Sequence, residues 1–427
     1  IRWSAPLGST THSSPVVSDG LVWVGTNNWR TGVHDNDGPH SVLKCFRVTD
    51  GQLVYEYVSP KLTARVQDPG WTGLGSSPMI EGDRLWLTTN RSEVLCWDIG
   101  PVIRGEGVPR ELWKLDLIKT FDTFPHAVLM GPARPCSIGA SWNGRIFVTT
   151  NNGVDEARTN VPKPDAANVV CLDKVTGEVY WKDSSPGSNI LLTQFSSPTV
   201  AEIGGETQVI VPQSDGWVRS FDPMTGEKLW EFDINAKESV YTLTRSKRLS
   251  LLGNAVVCED HVYLASGLDV EQGTGPGRLV CIDPTKRGDV SSELAVDANG
   301  ALLPQRRLQA VDAKAGEKAI PNPNSALVWE FISCGKEFED QMHRTMSSVA
   351  IAKGLVIASD LDGIMHCLDA KTGQRHWRYD TFAENWSSPL IVDDKIYVTD
   401  ADGEVAIFGL SADPTLAFRK KGMEILP

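Results

Sequence analysis

Three observations predict an all-β chain assembled from repeated four-stranded segments. A ten-residue phrase recurs at Leu172 to Trp181, Phe221 to Trp230 and Leu368 to Trp377, each with an Asp, a Thr-Gly turn and a tryptophan four residues past the glycine. A weaker copy, Phe46 to Tyr55, keeps Gly51 in register and puts Tyr55 at the tryptophan position. Such repetition at fixed internal spacing marks a repeat architecture. Between the copies lie β-branched and aromatic runs such as Lys395 to Thr399 and His261 to Ala265, which favour strands because these side chains pack well on a pleated surface. Asp-Gly pairs at 215–216, 362–363 and 402–403 supply the positive φ that a tight hairpin requires. Four short antiparallel strands per repeat is the pattern of propeller blades. The predicted fold is a β-propeller of four-stranded blades, eight-bladed with an incomplete last blade, or seven-bladed as the alternative, with 1–427 as one domain.

Each repeat opens on a strand marked by Ser-Ser-Pro or a relic of it, passes through a hairpin and two apolar strands, and closes on the aromatic strand. The first runs from Ser13 to Tyr57, the second from Ser76 to Trp113, the third from Pro135 to Trp181 and the fourth from Ser196 to Trp230. The fifth starts near Gly253 and closes at Trp329, the sixth runs from Ser347 to Trp377, and the seventh starts at Ser387 and degrades after Phe408. Ile1 to Trp3 reads as an aromatic strand lacking the three before it, and Leu416 to Arg419 as a fourth strand for the seventh repeat. These two ends favour eight repeats over seven, because a propeller hides its open edges by sharing strands between termini. Insertions interrupt the loop between strands two and three at 29–40, 153–168 and 268–277, and the connection between strands three and four at 284–327.

Composition excludes several classes. A hydrophobic fraction of 41% with 38 Gly and 14 Trp fits a turn-rich globular β protein rather than a disordered chain. A net charge of −13 argues against nucleic-acid binding, which needs a basic stripe. No apolar run approaches the ~18 residues of a membrane span. The opening at Ile1 carries no charged stretch before an apolar core, so the compartment is not read from it. Of eight cysteines, Cys45, Cys96, Cys171, Cys281 and Cys367 occupy the same position of five repeats. Equivalent positions on packed sheets lie ~10 Å apart, beyond the ~7 Å between Cα atoms that a disulfide tolerates, so these five read as small buried apolar residues. Cys136, Cys258 and Cys334 fall elsewhere and are free to pair. Neither Cys-Cys nor Cys-x-x-Cys occurs.

Asp173 to Trp181, Asp222 to Trp230 and Asp369 to Trp377 follow Asp-x-x-Thr-Gly-x-x-x-Trp without a gap. On this phrase the chain resembles the pyrroloquinoline-quinone-like (quinoprotein) β-propellers, which include quinoprotein dehydrogenases, the envelope assembly lipoprotein BamB and other exported bacterial propellers. The resemblance implies a periplasmic or otherwise exported, non-catalytic binding or scaffold propeller that recognises a protein, peptide or saccharide through one loop-rich face. Its alternatives are a PQQ-dependent alcohol or sugar dehydrogenase, with calcium beside the quinone, and a BamB-like assembly factor. No cofactor is expected, because the adjacent-cysteine pair of the family's enzymes is missing and the repeats leave little extra chain to bury a planar quinone.

The aromatics Trp3, Tyr55, Trp113, Trp181, Trp230, Trp329 and Trp377 read as staples between blades. Repeated indoles serve packing, and a buried one hides ~150–250 Å²; the rival reading makes them a stacking box for a quinone. Polar residues gather in the loop between strands two and three, at Asn27, Asn28, Asn151, Asn152, Asp155, Asp215, Asp269, Asp360 and Asp400. Antiparallel topology brings these loops to one end of the blades. Their plain role is to cap turns through side-chain bonds to the backbone; the sharper one is a rim for a cation or small polar ligand. His34 and His40 flank Asp35 to Gly38, where an Asx turn is favoured over a metal site. Glu337 to Arg344 reads as a short helical excursion without EF-hand spacing.

Overall fold

The computed structural model describes residues 2–29, 38–63, 67–126, 138–240, 248–268, 275–303 and 310–418. Among the described residues the strands form eight sheets, of which seven follow the seven repeats, each laid down in chain order, and one is a separate two-stranded hairpin. Sheet one holds Val16–Ser18, Leu21–Asn27, His40–Arg47 and Leu53–Pro60. Sheet two holds Met79–Glu81, Arg84–Thr88, Glu93–Asp98 and Arg110–Asp116. Sheet three holds Ile138–Trp142, Arg145–Thr149, Val169–Asp173 and Val179–Asp183. Sheet four holds Thr199–Ile203, Glu206–Pro212, Trp217–Phe221 and Lys228–Asp233. Sheet five holds Val256–Cys258, His261–Ser266, Arg278–Ile282 and Leu327–Phe331. Sheet six holds Ala350–Ala352, Leu355–Ser359, Ile364–Asp369 and Arg375–Asp380. Sheet seven holds three strands, Leu390–Val392, Lys395–Thr399 and Val405–Gly409. This succession of four-stranded antiparallel sheets is that of a β-propeller.

Contacts divide the chain into two compact units, residues 1–200 with 223–226, and residues 201–222 with 227–427. In the first, one core joins sheets one and two around Trp23, Leu43, Leu85, Leu95 and Trp97. A second joins sheets two and three around Trp86, Ile146, Val148 and Val170. In the second unit Ile210, Val218, Trp230, Phe232, Leu264 and Val280 fill the space between sheets four and five. Tyr263, Cys281, Trp329 and Val356 do so between five and six, and Met365, Cys367, Trp377, Ile396 and Phe408 between six and seven.

The recurring phrase sets one register six times. The aromatic of the fourth strand sits across from a small residue of the third: Tyr55 from Cys45, Trp113 from Cys96, Trp181 from Cys171, Trp230 from Ser220, Trp329 from Cys281 and Trp377 from Cys367. In every case the register shifts one residue further on, so a bulge re-aims the aromatic at the same point of each sheet. The phrase's aspartate caps its own turn: Asp173 accepts from the amides of Val175 and Thr176 at 2.8 and 2.7 Å, and Asp369 from those of Lys371 and Thr372 at 3.0 and 2.8 Å.

The glycine answers a different need. At Gly226 φ is +75° and an added Cβ would stand 2.7 Å from the Trp181 ring; at Gly373 φ is +70° and the Cβ would stand 2.6 Å from Trp329. Each indole therefore lies flat on the turn of the following sheet. It also donates Nε1–H there: Trp181 to the Pro223 carbonyl at 3.1 Å, Trp329 to Ala370 at 2.9 Å, Trp113 to Lys174 at 3.3 Å and Trp377 to Ser411 at 2.8 Å. Trp230 donates instead to Gln208 Oε1 at 2.8 Å, and Gln208 Nε2 passes the link to the Pro284 carbonyl at 3.1 Å, where an insertion replaces the turn. Tyr55 packs between Trp23 and Trp97 with ring centroids 6.2 and 6.3 Å away. Ser-Ser-Pro has a like role: the hydroxyls of Ser77, Ser348 and Ser388 accept from the amides of Ser14, Asn254 and Ser348 in the preceding sheets, at 2.8–2.9 Å.

Both chain ends depart from the sequence reading. Trp3 packs its ring on Gly51 and donates to the Val48 carbonyl at 2.7 Å, yet residues 2–8 form no strand. Leu416 and Ala417, expected to open a fourth strand from Leu416 to Arg419 in the seventh repeat, belong instead to a helical turn, Pro414–Ala417, capped by Asp413, whose carboxylate accepts from the Thr415 amide; Arg419 lies outside the described residues. A proline at the first helical position and an aspartate before it favour that turn over a strand. Part of the 284–327 insertion is ordered as strand. Gly288–Asp289 pairs in parallel with Trp230 and Glu231 along the outer edge of sheet four, and Glu293–Val296 with Lys318–Pro321 makes a separate hairpin.

Candidate functional site

The polar residues singled out in the strand two to three loops hold those loops in shape. Asn27 accepts from Ser9 Oγ and the Thr10 amide at 3.1 and 3.2 Å and donates to the Trp71 carbonyl at 2.8 Å. Asn28 accepts from the His40 amide at 2.5 Å. Asn151, at φ +60°, accepts from Thr193 Oγ1. Asn152 accepts from the Phe124 amide at 2.9 Å and donates to the Lys163 carbonyl at 2.8 Å. Asp155 takes the Thr159 amide and Asn160 Nδ2, both at 2.9 Å. Burial pushes the Asp155 carboxyl upward, but these bonds together hold it below its ordinary value. Asp215 forms a two-pronged pair with Arg219 at 3.0 and 2.7 Å, both side chains buried. Asp400 accepts from the Asp402 and Glu404 amides at 3.1 and 3.0 Å. Asp269, His34 and Asp35 to Asp37 lie outside the described residues. The His40 ring sits 2.9 Å from the Gly38 carbonyl.

Asp360 does more. Its Oδ1 accepts from the Asp362 and Ile364 amides at 3.1 and 2.8 Å, and its Oδ2 from His343 Nδ1 at 2.9 Å and the His343 amide at 3.2 Å. It thereby ties the loop of sheet six to the excursion that precedes it, where Phe338–Asp340 forms one 3-10 turn and Phe338 stacks on His343 at 4.1 Å. Burial alone would raise Asp360, yet the bond from His343, the His366 ring 3.8 Å away and the bond from the Ile364 amide hold its carboxyl low. Burial alone would lower His343, yet the Asp360 bond and charge hold it above its ordinary value.

Beside this loop lies a feature the sequence reading passed over. The connection from sheet six to sheet seven, Thr381 to Ser387, leaves Phe382 86% exposed and Trp386 36% exposed. Phe382 also adopts φ +62°, an outlier for a bulky residue. The connection is fixed at both sides. The Thr381 amide and Oγ1 each donate to the Gly363 carbonyl at 2.9 Å, the Phe382 amide donates to Asp380 at 2.7 Å, and the Ala401 amide donates to the Glu384 carbonyl at 2.8 Å. Trp386 Nε1 donates to Glu384 Oε2 at 2.7 Å. Glu384, Asp402 and Glu404 are exposed around it. Burial first, then the charges of Asp360 and Glu384, push the Asp362 carboxyl above its ordinary value against the pull of His343 and Arg344. The available signal was two aromatics within six residues of a polar connection, outside any strand alternation.

Among the described residues no group of three or more His, Cys, Asp or Glu is arranged to hold a metal ion, and the carboxylates of Asp155, Asp215 and Asp360 are engaged by their own surroundings.

A family model described as outer membrane protein assembly factor BamB matches residues 109–317, 214–384 and 308–414. The BamB of Shewanella oneidensis is 22% identical over 341 residues, covering 71% of this chain and 78% of its own length. The quinohemoprotein alcohol dehydrogenase ADH-IIG of Pseudomonas putida is 30% identical over 172 residues, which are 33% of this chain and 22% of that enzyme. The solved structure of ADHIIG from Pseudomonas putida HK5 aligns with a TM-score of 0.50 at 13% identity, over 90% of this chain and 61% of its own. At that identity the structural match speaks for the fold.

Proposed function

The chain belongs to the family of the outer membrane protein assembly factor BamB, and on that premise we propose that it is a non-catalytic scaffold propeller of the bacterial envelope, working as an assembly factor that holds a protein partner at its loop ends. The observation that carries this reading is the family match across 109–414. The exposed Phe382 and Trp386 at the loop end of sheets six and seven support it, since exposed aromatics on a rigid scaffold are the stock of binding surfaces. Asn27, Asn28, Asn151, Asn152, Asp155, Asp215, Asp360 and Asp400 each shape the loop that carries them. No described helix is long and apolar enough to cross a membrane.

The test is genetic. In a bacterium deleted for its own BamB-type factor, export of this chain restores the level of outer-membrane β-barrel proteins, and Phe382→Asp with Trp386→Asp lowers that restoration. The 172-residue similarity to a quinohemoprotein dehydrogenase sustains a rival. Failure to restore the barrel proteins, together with dye-linked alcohol oxidation after loading with PQQ and Ca²⁺, would decide for it.

A further inference from the structure

We propose that the loop end of sheets six and seven, where Phe382 and Trp386 stand among Asp362, Glu384, Asp402 and Glu404, is a docking surface for a cationic segment of a partner protein in which Lys or Arg alternates with apolar residues. The proposal rests on the scaffold reading above and names the partner's chemistry. Three observations lead to it. Phe382 is almost fully exposed in a backbone conformation that bulky residues avoid, one that persists only where the surroundings determine it. The surroundings do so, through the Gly363, Asp380 and Ala401 bonds described above. The ring is thus presented on a braced connection rather than left on a loose one.

The second observation is charge. Glu384 holds the Trp386 indole, and its carbonyl takes the amide of Ala401, next to the exposed Asp402 and Glu404; Asp362 feels the charge of Glu384, with His343 and Arg344 as the cations against it. Burial first, and then the charges of Asp360 and Glu384, raise the Asp362 carboxyl against the pull of His343 and Arg344. An incoming Lys or Arg would pair with the exposed Glu384, Asp402 and Glu404. The third is geometry: the Trp386 indole is pinned through Nε1 to Glu384, so its orientation is set while part of the ring stays open to solvent. A cation placed over such a ring is attracted to its π face, and the flanking carboxylate adds a charge-assisted partner. Apolar residues alternating with the cations would cover Phe382.

The experiment uses the full chain and two synthetic twelve-residue peptides with the same leucines and tyrosines, one carrying Lys and the other Glu at every second position. Titration followed by anisotropy of labelled peptide is expected to show the Lys peptide binding at least about 10-fold tighter, with affinity falling as salt rises from about 0.05 to 0.5 M. Phe382→Ser with Trp386→Ser, and Glu384→Gln separately, are expected to weaken it about 10-fold at unchanged melting temperature, because these side chains are exposed. Asp393→Asn, which removes a charge at the strand one to two hairpin of sheet seven, is expected to leave binding unchanged. Equal affinity for both peptides, equal loss from Asp393→Asn, or full binding by the Phe382/Trp386 double variant overturns the proposal. So does retention of maltodextrin chains with neither peptide bound. If the peptides fail while the chain still restores barrel-protein levels in the deleted strain, the scaffold reading stands and only the partner chemistry falls.

Discussion

Trp230→Ala removes the most deeply placed of the repeated indoles, and its cost follows from the contacts. The side chain is fully buried among Ile210, Val218, Phe232, Leu264 and Val280. At ~25 cal/mol/Å² the ~150–250 Å² of a buried Trp is worth at most ~4–6 kcal/mol, and measured truncations of buried Trp and Phe run ~3–5 kcal/mol with the cavity included. The lost hydrogen bond adds little, because Gln208 Oε1 also accepts from Ser220 Oγ at 2.8 Å and is not orphaned. About 4 kcal/mol is therefore expected. For a unit of about 220 residues, 1 kcal/mol moves the melting temperature by roughly 2–4 °C, so calorimetry should place the Ala variant about 8–16 °C below the parent. Trp230→Phe keeps most of the ring area and should lose about 1–2 kcal/mol. An Ala variant that melts within about 2 °C of the parent refutes the docking role of the indole.

Other perturbations test single features. Gly373→Ala is expected to destabilise by more than the ~1 kcal/mol of an ordinary left-handed glycine, since the new methyl meets the Trp329 ring as well as the positive φ; urea unfolding reads this, and a loss below ~0.5 kcal/mol would count against the packing. His126 is buried, and burial pushes its imidazole down to about 4. Above pH ~6.5 it is neutral folded or unfolded, and as pH falls toward 4 only the unfolded chain takes the proton, so stability drops by up to about 3 kcal/mol. His126→Gln should flatten that acid limb in melts between pH 7 and 4. Burial pushes the thiols of Cys45, Cys171, Cys281 and Cys367 up to about 12 and that of Cys96 to about 11, whereas Cys334 is exposed. Iodoacetamide on the native protein, followed by peptide mapping, should therefore modify Cys334 and spare those five.

What could be read in advance was local. Asp, Thr-Gly and Trp within nine residues determine a turn, a bulge and the direction of an indole, and all three depend on short-range backbone chemistry that a repeated phrase displays openly. The pairing of Gly288–Asp289 with Trp230 and Glu231 is of another kind. It joins segments almost sixty residues apart in parallel, and neither carries an alternation that announces it. The C-terminal end departs for a local reason: Asp413 and Pro414 form a helix start, which outweighs the strand expected over Leu416 to Arg419.

The loop residues separate these two kinds of information most clearly. Asp360 and Asp400 stand at matching places in two repeats and look alike in the sequence, yet one pairs with His343 and the other with the amides of its own turn. The difference comes from what the neighbouring connection brings to each loop, which repetition does not encode. On the scaffold reading proposed above, the repeated polar positions maintain the scaffold and recognition would fall to the connections that do not repeat. Thr381 to Ser387 is such a connection, and it is where a bulky side chain is braced in the open against both the hydrophobic effect and its own backbone preference.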